Sequence, residues 1–174
     1  GYCLAVKTDG TLWAWGINTN GILGDGTVDN KSSPVQIGAL TTWSKVSAGN
    51  YSTAIKTDGT IWAWGINTGG QLGDGTYINK SSPVQIGSLT TWSLNDTRSS
   101  ATAAIKTDGT LWTWGTGTSG VLGLNQGTVL SPVLIGSYVS ASYGREYSLG
   151  ISSTGALYAW GLNTSGECGQ NTNL

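Results

Sequence analysis

The most constraining feature of this chain is a segment that occurs twice with little change. Residues 7–27 read KTDGTLWAWGINTNGILGDGT, and residues 56–76 read KTDGTIWAWGINTGGQLGDGT, with 18 of 21 residues identical. The glycine of the Asp-Gly turn recurs at intervals of 49, 50 and 46 residues, from Gly10 to Gly155. This period is typical of units that each form a small sheet rather than a helical pair. The sequence therefore predicts an array of similar units, and any function should lie on their assembled surface.

One unit is predicted to contain four β-strands. In the second unit, the β-rich runs YSTAIK and TIWAWG are joined by Asp58 and Gly59, a pair preferred in hairpin turns because it tolerates positive φ. Trp62 and Trp64 alternate with smaller apolar residues, so both faces of that strand are apolar and we expect it inside a stack of sheets. SPVQIG follows a glycine-rich loop as a third strand. A segment such as TTWSKVSAG supplies the fourth.

This pattern predicts an all-β fold, a β-propeller of four-stranded blades that occupies residues 1–174 as a single partial domain. Its units cover about residues 1–49, 50–99, 100–145 and 146–174, so about three and a half blades are present. The first and last units are incomplete. We therefore expect the blades to belong to a larger ring, closed by further residues of the same polypeptide rather than by a second copy.

With four strands in each unit, successive connections must alternate between the two faces of the ring. One face should carry the Thr-Asp-Gly turns and the ALTT or SLTT connections. The other face should carry the long loops of the type INTGGQLGDGT and the links between units at residues 49–50, 96–100 and 143–146.

Composition excludes several kinds of chemistry. The chain has no His, and its two Cys are far apart, so neither an imidazole base nor a four-ligand zinc site can form. The formal net charge of -1 provides no basic field for nucleic acid. No apolar run approaches the roughly 20 residues of a membrane-spanning helix, and no signal peptide is recognisable. We expect no enzymatic activity, cofactor, bound metal, nucleic-acid partner or membrane insertion.

The motifs WAWG, LGDGT, SSPVQIG, WSxVSAG and AIKTDG recur in a constant order through the whole chain. In this order they resemble the regulator of chromosome condensation repeat family. The resemblance implies a β-propeller, usually with seven blades. One departure concerns a His that is common in the family before the first strand. Its positions hold Tyr2, Tyr51, Ala101 and Tyr147 here, which puts any role of that His in doubt.

The resemblance implies a fold more than a function, because the family includes an exchange factor for the Ran GTPase, inhibitors of β-lactamases and domains of larger enzymes. The nearly uniform units are similar to the regular repeats of bacterial and bacteriophage proteins. The leading hypothesis is therefore a non-enzymatic structural or interaction module of a surface or virion protein, such as a bacteriophage tail or capsid-associated component. Its partners would be other virion proteins or a host-surface receptor, and its location the virion or an extracellular surface, otherwise the cytoplasm.

Two alternatives remain open. The chain could be a soluble regulator that binds one globular partner, either as a guanine nucleotide exchange factor or as an enzyme inhibitor. It could also be a carbohydrate-binding module, which would require a solvent-exposed tryptophan. Because the tryptophan pairs recur on a strand in every unit, we favour a packing role between blades over ligand stacking.

Two further residue sets suggest chemistry but have simpler interpretations. Asp25 and Asp74 could belong to a calcium loop, yet each lies between glycines in LGDGT, where an Asp side chain closes a turn on its own backbone. Cys3 and Cys168 occupy positions held by Ser, Thr or Leu in other units, so we expect both to be small buried residues. They lie in the first and fourth units, too far apart for a mutual disulfide.

The segments that break the repeat are the best candidates for partner binding. SLNDTRSSAT at residues 93–102 and ASYGREYS at residues 141–148 contain the only two arginines of the chain. Arg and Tyr are typical anchors of protein contact sites. The predicted partner-binding residues are Asp96, Arg98, Tyr143, Arg145 and Glu146. The opposite face should be a monotonous, nearly neutral ring built from Lys7, Lys56, Lys106 and the neighbouring Asp side chains.

Overall fold

The computed structural model describes residues 1–98, 100–124, 126–144 and 146–169, without the side chains of Leu94, Asn95, Arg98 and Tyr143. These ranges contain β-strands and two short 3-10 turns at Thr19–Gly21 and Thr118–Gly120. The strands are β1 (Tyr2–Val6), β2 (Leu12–Gly16), β3 (Lys31–Gln36), β4 (Trp43–Ala48), β5 (Tyr51–Lys56), β6 (Ile61–Gly65), β7 (Lys80–Gln85), β8 (Trp92–Arg98), β9 (Ala101–Lys106), β10 (Thr110–Thr116), β11 (Thr128–Tyr143), β12 (Tyr147–Ser152) and β13 (Leu157–Gly161). The all-β prediction is confirmed.

The strands form antiparallel sheets in which neighbours in sequence are neighbours in space. The sheet β4-β5-β6-β7 is one complete four-stranded blade, and β1-β2-β3 is a three-stranded sheet beside it. A six-stranded sheet runs in the order β13 to β8. Its centre is β11, which pairs with β10 up to Ser137 and with β12 from Tyr138 onward. This sheet therefore joins two blades through one strand.

The fusion of two blades at β11 has a local cause. In the first two units a connection of the type GALTT or GSLTT separates two strands, and its Gly38 or Gly87 adopts positive φ. In the third unit Tyr138 follows Gly136 and Ser137 directly, and the strand continues without a break. The shorter connection also explains why the interval to the last turn glycine is only 46 residues. That interval is visible in the sequence, but it did not lead us to predict a continuous strand.

The blades are offset by one strand from the sequence units. The strand that we assigned to the end of a unit pairs with the first strand of the next one, as Trp92 does with Lys106. The complete blade therefore begins at Trp43 and ends at Gln85 rather than covering a whole unit from residue 50. The physical reason is that residues 49–50 make a hairpin turn within a sheet, whereas the ALTT segment connects two sheets.

The alternation of connections between two faces is confirmed. We call the first surface the turn face. There the Asp-Gly turns contact the connections between sheets, with Trp43 N donating to Gly10 O at 3.0 Å and Trp92 N to Gly59 O at 3.0 Å. The second surface, the loop face, carries the described residues of the long loops, which are 17–30, 66–79, 117–124 with 126–127, and 162–169. It also carries residues 49–50 between β4 and β5, residue 100 before β9, and residues 144 and 146 between β11 and β12.

The core lies between the sheets, where three clusters of apolar side chains pack. Trp64 and Trp114 are fully buried, whereas Trp62 is only partly buried. The prediction of burial is thus confirmed for Trp64 and holds in part for Trp62. Within the described residues, no helix has the length and apolarity needed to cross a membrane.

The prediction that both cysteines are buried is wrong. Cys3 is exposed and Cys168 is half-buried. Ser52, which holds the position of Cys3 in the second sheet, is buried because the long loop of the first sheet covers it and Ile22 O accepts its hydroxyl hydrogen bond at 2.7 Å. No described residue covers Cys3 in the same way. Both thiols are free.

Candidate protein-interaction surface

The loops of the loop face are held by the sheet that follows each of them. Trp64 Nε1 donates to the carbonyl oxygen of Ile22 at 2.9 Å, and Ser52 Oγ donates to the same oxygen at 2.7 Å. The indole ring also lies against Gly24, where a Cβ would come within 2.6 Å of Trp64 Nε1. One loop carbonyl is therefore shared by two donors of the neighbouring blade.

The same arrangement recurs at the next two junctions. In each, a Trp indole and a Ser or Thr hydroxyl of one blade donate to one carbonyl of the preceding loop at 2.7 to 3.0 Å. The sets are Trp114 and Thr102 on Gln71, and Trp160 and Ser148 on Val121. Since buried hydrogen bonds of this kind are costly to break, each junction holds one loop against the blade that follows it.

The first two long loops are each organised from within by a buried Asn, Asn18 in the first and Asn67 in the second. Asn67 Oδ1 accepts from Leu72 N at 2.9 Å, and its Nδ2 donates to Asp74 Oδ1 at 3.0 Å and to Thr76 O at 2.9 Å. Asp74 in turn forms an ion pair with Lys80 at 3.3 Å. Asn18 and Asp25 repeat this arrangement in the first loop.

These contacts support the turn interpretation of the two Asp residues. Burial alone would raise the pKa of Asp74, but hydrogen bonds from the Thr76 hydroxyl and backbone N–H, from Asn67 and from Lys80 outweigh it, so the pKa lies below its ordinary value. Asp25 follows the same rule. Among the described residues there is no cluster of three or more His, Cys, Asp or Glu side chains that could hold a metal ion.

Four of the predicted partner-binding residues lie on the loop face, three of them at the ends of β8 and β11 and Glu146 in the turn after β11. Asp96 and Arg98 belong to β8, and Tyr143 is the last residue of β11. The expectation that residues 96–100 form a link is therefore wrong for its first part, because 96–98 continue the strand and pair with β9. Arg145 lies outside the described residues, as do the side chains of Arg98 and Tyr143.

The structure brings the two repeat-breaking segments together at Asp96. Ser142 Oγ donates to Asp96 Oδ2 at 3.3 Å, which links β8 to the adjacent part of β11. Ser47, Asp96 and Ser142 hold the same register position in three successive blades, the last two of which share the six-stranded sheet. Asp96 therefore introduces a carboxylate where the flanking blades have a hydroxyl, at a half-buried site.

Glu146 lies in the turn between β11 and β12, near the start of the last described loop. It is half-buried, and its carbonyl oxygen accepts from Leu162 N at 2.8 Å. The turn is closed by Gly144 N, which donates to Tyr147 O at 2.8 Å. Glu146 thus lies on the loop face, as predicted, in a turn held by main-chain hydrogen bonds.

The turn face is less uniform than predicted, because its lysines differ in exposure. Lys56 Nζ lies 3.6 Å from the ring centroid of Trp62 and 4.9 Å from that of Trp43, and the residue is 8% exposed. Desolvation lowers the pKa of Lys56. Lys106 packs on its tryptophans in the same way. These cation–π contacts were not predicted, although the constant spacing of Lys and Trp is a signal for them.

The tryptophans also bear on the carbohydrate alternative. All nine Trp residues lie in the described part of the chain, and none of them is exposed. Four are buried and five are half-buried against neighbouring sheets or side chains. An exposed aromatic platform for a sugar ring is therefore not formed by these residues.

Comparison with protein families gives a consistent match. Two models, each described as a regulator of chromosome condensation (RCC1) repeat, match this chain, one at residues 9–55 and 58–94 and the other at residues 43–71 and 138–170. Together they cover more than half of the sequence. No curated protein sequence matches significantly.

Several solved structures share the fold. Prp20p from Saccharomyces cerevisiae has a TM-score of 0.81 and 20% identity, with 98% of this chain and 45% of that chain covered. Yeast RCC1 (Prp20) bound to Kap60 gives 0.80 and 20%, with 99% and 45% covered. Human WBSCR16 gives 0.81 and 20%, with 92% and 44% covered. This chain thus spans less than half the length of these propeller proteins, and the likeness shows the fold alone.

Proposed function

This chain belongs to the regulator of chromosome condensation repeat family, and we propose that it is a non-enzymatic β-propeller module that binds a protein partner through its loop face. The proposal includes the expectation that its blades belong to a larger ring. A fold does not by itself determine a function, which depends on the chemistry of particular sites on its surface. The loop face can provide such a site because its loops are held by hydrogen bonds to the next blade and its sequence varies from unit to unit.

The observation that carries the proposal is the contact between Asp96 and Ser142. It joins the two segments in which the repeat is broken, and it places a carboxylate on an otherwise hydroxyl-lined row. The regular parts of the chain cannot distinguish one partner from another, since they repeat in every blade. Recognition needs a distinct local set of groups, and a few of them usually supply most of the binding energy.

The experiment that tests this proposal is site-specific photo-crosslinking in the native host. One protein carries the crosslinker at Glu146 on the loop face, and the matched control carries it at Asp58 on the turn face. We expect one discrete crosslinked product when the crosslinker is at Glu146. An excess of the same protein without the crosslinker should reduce the yield of that product. A product at Asp58 and none at Glu146 would place the contact on the turn face. If neither position gives a discrete product, partner binding loses its support.

The regular repeats also lead us to propose a surface or virion setting, such as a bacteriophage tail or capsid-associated component. The argument for this setting is the near identity of successive units, which is similar to that of large repetitive surface proteins. Immunogold labelling with an antibody to this chain tests it directly. Label on virions or at the cell surface is the expected result, and label confined to the cytoplasm would contradict it.

A second candidate is a soluble regulator that binds one globular partner. Prp20p, which shares the fold over 98% of this chain, is described by its binding to Gsp1p and histones. That likeness supports a protein partner of some kind, but it does not transfer these partners to a chain of 20% identity. Nucleotide release from Gsp1p and binding of histones, each measured with purified chain, test the alternative. We expect neither.

A further inference from the structure

Most tryptophans in the described part of the chain use their indole N–H as a hydrogen-bond donor. Trp62 Nε1, for example, donates to Thr60 Oγ1 at 2.9 Å. Two buried side-chain polar atoms among the described residues have no hydrogen-bond partner, and they are Trp43 Nε1 and Trp92 Nε1. Both residues are only 3% exposed. Because a buried donor without an acceptor is costly, this pair of atoms needs a physical explanation.

The two unpaired donors occupy equivalent positions. Trp43 is the first residue of β4 and Trp92 is the first residue of β8. Each ring meets the two tryptophans of its own blade edge-on, with centroid distances of 5.9 and 6.2 Å for Trp43 and of 6.1 and 6.0 Å for Trp92. Each residue also lies opposite a lysine, which is Lys56 or Lys106. The unpaired N–H is therefore a repeated feature of the blade.

Trp43 forms part of the wall of a cavity of about 300 Å³ between two neighbouring sheets. The apolar walls come from Ile37 and Leu40 just after β3, from Trp43 and Trp62, and from Pro83 of β7. Small-molecule sites begin at about this volume and have mostly apolar walls with few polar groups. Because Trp43 belongs to the wall, an acceptor atom held in the cavity can take up its N–H.

The same set of residues recurs at the next junction. Each apolar wall residue has a counterpart of the same type 49 residues further along the chain, or 50 for Trp62. Neither set includes a residue of β1 or β13. The second set contains the second unpaired donor. Its members are Ile86, Leu89, Trp92, Trp112 and Pro132.

The polar groups at the rim of the cavity are already paired. Asp25 Oδ2 forms an ion pair with Lys31 at 3.1 Å, and Gln36 Nε2 donates to a backbone carbonyl at 3.1 Å. Lys56 Nζ already lies on Trp62, 3.6 Å from the ring centroid, and would repel a cationic ligand. A charged ligand group would also have to leave water for apolar walls. The cavity therefore favours an uncharged ligand.

We propose that each of these two junctions binds a small uncharged molecule with a flat apolar ring and one acceptor oxygen. At the first junction the ring packs on Trp43 and Trp62, and the oxygen accepts the hydrogen bond from Trp43 Nε1. Trp92 and Trp112 have these roles at the second junction. The site lies between neighbouring sheets, and its existence does not rest on the proposed binding of a protein partner at the loop face.

The probe for this proposal is p-fluoroacetophenone, which has one ring and one carbonyl oxygen. The matched control ligand is p-fluoroethylbenzene, in which a methylene group replaces the carbonyl while the shape stays nearly the same. Fluorine NMR titrations with the full 174-residue chain should show saturable binding of the ketone. The ketone should bind about fivefold more tightly than the hydrocarbon, because only the ketone can accept the buried N–H. Equal affinity of the two ligands, or no saturable binding of the ketone at millimolar concentration, would overturn the proposal.

The indole N–H signals report on the hydrogen bond itself. In a proton–nitrogen correlation spectrum of the isotope-labelled chain, the nine tryptophans give nine indole signals. The signals of Trp43 and Trp92, assigned with the single variants Trp43→Phe and Trp92→Phe, should move downfield as the ketone binds. The hydrocarbon should move them much less. If the ketone shifts only the signals of other tryptophans, it binds elsewhere and the proposal is wrong.

Two double variants locate the acceptor contact. Trp43→Phe/Trp92→Phe keeps an aromatic wall but removes both N–H groups, so the ketone and the hydrocarbon should bind it with equal affinity. The matched control Val28→Ala/Ile78→Ala alters two exposed loop side chains outside both sets and should keep the preference for the ketone. A preference that survives in the double Phe variant would show that the indole N–H does not hold the oxygen. Because both ligands are also compared on the unmodified protein, the proposal stays testable even if the double Phe variant fails to fold.

Discussion

At the scale of single residues, the indole N–H of the third-strand tryptophan determines how one blade holds the next. Trp64 is fully buried, and its Nε1 is bonded to the Ile22 carbonyl of the preceding loop. We expect Trp64→Ala to lower the free energy of unfolding by about 3–5 kcal/mol, as for other large truncations in a core. The measurement is reversible urea unfolding.

The matched control is Trp62→Ala, two positions earlier on the same strand, where the side chain is only half-buried. It should destabilise the protein less than Trp64→Ala. A loss below about 1 kcal/mol for Trp64→Ala, where core truncation normally costs several times more, would show that the position is not part of the core.

Asp74 gives a second prediction at this scale, concerning pH. Its pKa in the folded protein is lowered, so the carboxylate contributes stability that is fully present above the unfolded pKa of about 4 and is lost as the pH falls through the lower folded value. Asp74→Asn should therefore reduce the dependence of unfolding free energy on pH below about pH 4. Urea midpoints measured from pH 2 to pH 7 test this, and an unchanged slope would contradict it.

What could be predicted for these residues depends on whether the contact uses a side chain or the main chain. The recurrence of Trp pairs predicted the burial of Trp64 correctly. The acceptors on the preceding loop are backbone carbonyls of Ile22, Gln71 and Val121, whose side chains are apolar in two cases and a polar amide in the third. Main-chain recognition leaves no signal in residue type, and for that reason the junction bonds could not be predicted.

At the scale of elements, the LGDGT segment has two glycines with the same backbone conformation but different surroundings. Gly73 and Gly75 both have φ of +79°, yet a Cβ at Gly73 would lie 2.5 Å from Trp114 Nε1, whereas a Cβ at Gly75 meets nothing within 4 Å. Gly75→Ala should therefore cost only the backbone strain, about 1–2 kcal/mol. Gly73→Ala should cost that and a further 1–3 kcal/mol, roughly, from overpacking against the indole.

Thermal or urea unfolding of the two variants separates the stability that comes from the contact with the next blade from that of the loop's own conformation. Because the strain at positive φ is common to both, the difference between them measures the contact of the loop with the next blade. Equal destabilisation would mean that the loop does not rest on Trp114 in solution.

The strands were predictable to different degrees. The hairpin around Asp58 and Gly59 has alternating apolar residues and a strong turn dipeptide, and β5 and β6 lie where the pattern placed them. The assignment of the fourth strand to its sheet failed, because local pattern does not indicate which neighbour a strand will pair with. The continuous strand β11 was not predicted, because the shortened connection before Tyr138 appears in the sequence only as a shorter interval between turn glycines.

At the scale of the whole molecule, each blade contacts its neighbours through one repeated junction, and stability should be nearly additive along the array. This regularity leaves the two faces as the surfaces that can carry function. On the turn face the Lys–Trp and Thr–Asp contacts around Lys56 recur around Lys106, although Lys7 in the first sheet is more exposed. On the loop face the break in the repeat is concentrated in two adjacent segments. We therefore expect that substitutions on the loop face can weaken partner binding with little change in stability.

The double variant Arg98→Ala/Arg145→Ala tests that separation. It removes both arginines of the chain from the segments that break the repeat. We expect partner binding, or incorporation into the virion, to weaken by about 1 kcal/mol or more, because Arg is a frequent anchor of protein contacts. Thermal stability should change little, as is usual for surface substitutions away from the core. Titration calorimetry or an incorporation assay, paired with a melting curve, gives both quantities. The matched control on the turn face is Asp58→Ala, because Asp58 is exposed whereas Lys56 is buried against Trp62. If Asp58→Ala abolishes binding while its melting curve is unchanged, and the double Arg variant binds normally, the partner contacts the turn face.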